Sequence, residues 1–152
     1  MWIWCKFKKN ISQMQAFFWN IINKITFLLN GVSYGHGLYS RGKIYVYNKD
    51  VGKISIGKNV RLNSADWANP IGCGNHIWIQ LIGKEADLAI GDGTGISNTA
   101  ITCMQKVEIG KYCLIGSGCK IYDTDFHVLP IYNGDGVCVG GGYCNCTYYN
   151  WR

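Results

Sequence analysis

The chain has 152 residues, a length that suits one domain, and its 48% hydrophobic and 14% aromatic content supports a packed core and excludes disorder. Fifteen basic residues against nine acidic ones give a net charge of +6, densest at "CKFKK" (5 to 9). That excess suits an anionic ligand or membrane surface, or is a solvated scatter, and no nucleic-acid motif accompanies it.

In chain order, the N-terminus comes first. It has lysines but no clean apolar run and no small-residue cleavage site, so no secretion signal is expected. Residues 11 to 29, "ISQMQAFFWNIINKITFLL", place apolar side chains at 11, 14, 18, 21, 22, 25, 28 and 29, the spacing of an amphipathic helix. Ser12, Gln13, Gln15, Asn20, Asn23 and Lys24 interrupt it too often for a membrane span. With "MWIWCKFKK" in front, two uses of the helix stay open. It lies in a membrane interface through Trp and Lys anchors, as a peripheral contact, or it packs on its own domain or another subunit. Asn30-Gly31 stops it.

From about residue 32 the chain becomes glycine-rich and β-branched. Aliphatic residues followed by Gly or Ser recur at Ile56-Gly57, Ile90-Gly91, Ile96-Ser97, Ile109-Gly110 and Ile115-Gly116, with Ile121 next. The step is six residues, and the gap of 19 between Ile90 and Ile109 is three hexads plus one residue. Four positions after each aliphatic stands a compact side chain: Val60, Thr94, Ala100, Cys113 or Cys119. Such a pattern predicts a solenoid with three short flat faces per turn, an aliphatic pointing inward at each face and a small residue at each corner. Cys113 and Cys119 are then expected as small buried corner residues without redox chemistry. None of the eight cysteines forms a CxxC pair and the three histidines are far apart, so no metal site and a reduced, cytoplasmic compartment are expected.

"VGKISIGKNVRLNS", "LAIGDGTGISNTAIT" and "VEIGKYCLIGSGCKIYDTDFH" resemble the hexapeptide-repeat acyltransferases, over roughly residues 35 to 127. Within them they look like the galactoside/maltose O-acetyltransferase branch found in bacterial surface-polysaccharide synthesis, and "DTDFH" is the most specific match. The resemblance implies an all-β fold, a left-handed parallel β-helix with an N-terminal amphipathic helix. It also implies acetyl transfer from acetyl-CoA to the hydroxyl of a sugar or glycan acceptor, in a homotrimer with active sites between adjacent subunits. His127 matches the family's general base; an imidazole of ordinary pKa near 6.5 suits removal of a hydroxyl proton at neutral pH. Asn98, in "GISNTAI", matches an asparagine that holds the acceptor or the oxyanion, or else only satisfies a turn. Asp123 or Asp125 is positioned in sequence to orient the imidazole, although Asp125 also suits a corner that bonds backbone amides. His36 and His76 match no motif, and Trp67 with "NPIG" (69 to 72) falls where an acceptor loop is expected. Cys138, Gly140 and Gly141 match backbone that contacts CoA.

The pattern then fails. The polar loop usual after the histidine is nearly absent, and "PIYNGDGVCVGGG" resembles the next coil with Asn133 and Cys138 in place of an aliphatic and a tryptophan. "YCNCTYYNWR" has no hexad, yet a frame moved one base forward would turn its Tyr and Asn codons into Ile or Thr and its Cys codons into Val or Ala. A frame-shifted, truncated enzyme is therefore expected, with a genuine alternative C-terminus as the other reading. The expected organisation is a basic, aromatic segment and helix over 1–31, a β-helix domain over 32–142 and a non-repeat tail over 143–152. The alternative function is a catalytically inactive β-helix remnant or assembly module.

Overall fold

The computed structural model describes residues 2–50, 52–69, 71 and 76–126, with side chains described from residue 10 onward. One long helix, α1 (Trp2–Leu29), precedes twelve short strands. The strands form three parallel sheets of four. The first contains β1 (Val32–Tyr34), β4 (Lys53–Ile56), β7 (Asp87–Ile90) and β10 (Lys106–Ile109). The second contains β2 (Tyr39–Arg41), β5 (Arg61–Asn63), β8 (Gly95–Ser97) and β11 (Leu114–Ile115). The third contains β3 (Ile44–Asn48), β6 (Ile77–Leu81), β9 (Ala100–Cys103) and β12 (Lys120–Tyr122). Consecutive strands enter the three sheets in rotation, and each pairs with the strand three places on, an arrangement compatible with a parallel β-helix.

Alternation of aliphatic and polar residues makes these segments strands with one inward face. Parallel pairing then stacks like on like. Val32, Ile54, Leu88 and Val107 form one column, Leu62, Ile96 and Ile115 a second, and Val46, Ile79, Ile101 and Ile121 a third. Nearly all are buried, and Val46, Ile115 and Ile121 pack partly buried against the same core. Each fully buried aliphatic contributes about 1.5–3 kcal/mol.

The hexad aliphatics Ile56, Ile90, Ile96 and Ile109 all point inward. The 19-residue gap is unevenly divided, with six residues from Ile90 to Ile96, five from Ile96 to Ile101 and eight from Ile101 to Ile109, so its surplus falls between Ile101 and Ile109. Ile96 pairs with Ile115 and Ile101 with Ile121, so the corner after β8 is one residue shorter than the corner after β11. Thr99 therefore takes the buried corner position expected for Ala100, and its Oγ1 donates to the Ser97 and Gly116 carbonyls at 2.8 and 3.1 Å. Ala100 turns outward between Trp78 and Lys120. Cys113 is half-buried against the core, whereas Cys119 is exposed, because β11 and β12 end their sheets among the described residues.

Helix α1 starts nine residues before the periodic stretch and packs mainly on β2, with further contacts to β1 and β3. Phe27 enters the core and Ala16 and Asn23 are buried beside it. Asn23 ties the helix down: its Nδ2 donates to Ser40 Oγ at 3.0 Å and to the Gly42 carbonyl at 2.8 Å, and its Oδ1 accepts from the Ile44 N–H at 3.1 Å. The apolar stripe read from the sequence faces the other way, with Met14, Phe18, Ile21, Ile25, Leu28 and Leu29 all exposed. Gly31, at φ 67°, ends the helix, its N–H bonded to the Leu28 carbonyl at 3.2 Å.

A candidate site at the Asn98 corner

Successive turns of the chain stack their corners between the second and third sheets. The Ser64 N–H donates to the Arg41 carbonyl at 2.7 Å, the Asn98 N–H to the Asn63 carbonyl at 2.9 Å, and the Gly118 N–H to the Asn98 carbonyl at 2.9 Å. Asn98 thus occupies a rung of this ladder in the left-handed region, at φ 39°, which asparagine tolerates better than most residues. Its backbone is bonded above and below. The residue is 1% exposed, and neither Oδ1 nor Nδ2 of its side chain has a partner among the described residues. An unpaired buried amide costs about 1–3 kcal/mol, so a purely structural corner would select glycine here.

The loop between β5 and β6 leaves from the same column. Asn69 Nδ2 in that loop donates to Ser117 Oγ at 2.9 Å, reaching past the Asn98 rung to the next one. Trp67 is half-buried in the loop, while Pro70 and residues 72–75 lie outside the described residues. At the base of the loop, Ser64 Oγ bonds the Lys43 carbonyl and accepts from the Ile77 N–H. His76 lies within hydrogen-bonding distance of the Ser64 carbonyl, 2.8 Å from Nδ1, and its ring meets the edge of Tyr45. His76 therefore acts as a loop anchor.

Beside this corner, on the outer face of β2 and β5, lies a groove of about 590 Å³ lined by Gly37, Tyr39, Arg41, Asn59, Arg61 and Asn63. Strand pairing sets Tyr39 beside Arg61 and Arg41 beside Asn63. The Arg41 guanidinium lies 5.9 Å from the Tyr39 ring centre, and its Nε is buried without a partner among the described residues. Two guanidinium groups, two amides and no carboxylate favour a hydroxylated ligand with negative charge. Asn63 connects groove and corner, since its carbonyl receives the Asn98 N–H and its Nδ2 lies 3.5 Å from Ser97 Oγ. Sequence inspection missed this groove because its two arginines come to line one surface only through the register of β2 and β5.

At the opposite end of the third sheet, Asp123 caps a corner. Its carboxylate accepts from the Met104, Gln105 and Lys106 N–H groups at 2.6, 2.7 and 2.8 Å, with Cys103 Sγ at 3.7 Å. Asp123 thus holds this corner, with Oδ1 accepting from Met104 and Oδ2 from Gln105 and Lys106. Burial, and then the charge of Asp123, push the Cys103 thiol up to about 12. His127, Cys138, Gly140 and Gly141 lie outside the described residues. Among the described residues, no three His, Cys, Asp or Glu side chains gather as metal ligands, and no helix is long and apolar enough to cross a membrane.

No protein-family model, curated protein or solved structure matches the chain.

Proposed function

We propose that the chain is a hexapeptide-repeat O-acetyltransferase on a left-handed parallel β-helix, moving an acetyl group from acetyl-CoA to a sugar hydroxyl in surface-polysaccharide synthesis. The observation that carries the proposal is Asn98: a buried amide with both polar atoms unpaired, at the corner where the acceptor-binding asparagine of the resembled family falls. In this reading His127 removes the acceptor's hydroxyl proton as the oxygen attacks the thioester carbonyl. The Asn98 amide holds the acceptor or the developing oxyanion, the thiol of CoA leaves, and no covalent enzyme intermediate forms. Cys138, Gly140 and Gly141 contact the cofactor, and the reaction is cytoplasmic, at the inner face of the membrane.

A homotrimer with active sites between adjacent subunits follows from the same reading.

Two measurements test the proposal. Acetyl-CoA should bind the folded chain, and His127→Ala should lower kcat by about 10²–10⁴-fold with binding retained. Unchanged turnover would remove His127 from the mechanism. Undetectable acetyl-CoA binding by the folded trimer would favour the inactive assembly module, and a +1 frame without hexads beyond codon 142 would reject the frame-shift.

A further inference from the structure

We propose that the outer face of α1 docks the protein on an anionic lipid surface. The face is apolar and uncovered: Met14 is 72% exposed, Phe17 69%, Phe18 57%, Leu28 77% and Leu29 80%, with Ile21 and Ile25 between them. At 100° per residue these side chains share an arc of about 120°, and from Met14 to Leu29 they run for about 22 Å along the helix. The opposite face is already committed, because Ala16, Asn23 and Phe27 are buried and Asn23 makes three hydrogen bonds to the first strands. The helix therefore cannot turn its stripe inward without losing that attachment.

Charge selects the occupant. Residues 1–49 carry seven basic side chains (Lys6, Lys8, Lys9, Lys24, Arg41, Lys43 and Lys49) and no Asp or Glu, while residues 50–152 carry eight basic and nine acidic ones. The whole positive excess thus lies in the third of the chain that contains the helix, as expected for binding to anionic headgroups. A second copy fits less well. Positions 11, 14, 18, 21, 25 and 28 follow a heptad seam, but α1 has no acidic residue to pair with lysines brought together by self-association. Phe17 and Leu29 also widen the stripe beyond such a seam, to the breadth of a helix lying in a membrane interface. Spanning is not open to it, since among the described residues no helix is long and apolar enough to cross a membrane.

Docked in this way, the molecule places the end bearing β1, β2 and β3 nearest the lipid. The proposal stands whether or not the chain transfers acetyl groups. It is tested with the full chain and vesicles of phosphatidylcholine, alone or with about a third phosphatidylglycerol, the charge of which supplies the attraction. Anionic vesicles should bind at least about tenfold more tightly than neutral ones, and added salt should weaken that binding. Phe17→Ser with Leu28→Ser should reduce it at least about tenfold while the far-UV spectrum and Tm stay unchanged, because both side chains are exposed. Lys24→Glu should reduce binding to anionic vesicles alone. Equal binding to both vesicles, or none, would overturn the proposal. So would a Phe17→Ser, Leu28→Ser chain that becomes monomeric with its lipid binding unaltered, which would assign the face to a second copy.

Discussion

Asn98 combines a left-handed backbone with a buried, unpaired amide, and each feature opposes stability. Asn98→Gly removes both. It should raise the free energy of unfolding by about 1–2 kcal/mol in urea denaturation and, under the proposed function, lower acetyl transfer by about 10²-fold. A loss of stability instead would mean that the amide is bonded in the fold. Cys103 makes a separate statement about pH. Its thiol is raised from 9.0 to about 12 by burial and then by Asp123, so the folded chain retains a proton that the unfolded chain releases. Its contribution is complete below about pH 9 and declines as pH rises from 9 towards 12. Cys103→Val should flatten that decline in urea midpoints measured across the lower part of the window; an unchanged slope would assign it to other groups.

At the scale of elements, the strands and the helix follow different rules. Each strand is held by like neighbours on its inward face, so substituting one aliphatic weakens a column without removing a strand. Helix α1 depends on fewer contacts, and Asn23 and Asn20 supply its polar ones. Asn23→Leu leaves the Gly42 carbonyl and the Ile44 N–H without their partner at the helix–sheet junction, and should cost about 2–4 kcal/mol in urea denaturation. A cost below about 0.5 kcal/mol would show that Phe27 packing and the Asn20 hydrogen bonds seat the helix without Asn23. The groove belongs to this scale too. Arg41 and Arg61 are twenty residues apart and line one groove only because β2 pairs with β5.

For the molecule as a whole, periodic features were legible in sequence and single contacts were not. The hexads at Ile56, Ile90, Ile96 and Ile109 announce inward columns because every turn must bury an aliphatic at each face. The end of the helix at Asn30-Gly31 was legible for a local reason, the left-handed turn that glycine accepts. By itself the sequence determined the β class, the helix with its stripe, and the segregation of basic charge in the first 49 residues. Only the tertiary structure decided that the stripe faces outward, that Thr99 displaces Ala100 at its corner, that Asp123 serves three backbone amides, and that Asn98 is buried with its amide unbonded. The physical reason is that periodicity records what each turn shares with the next. Orientation, register and the partners of individual polar groups depend on what lies across the fold.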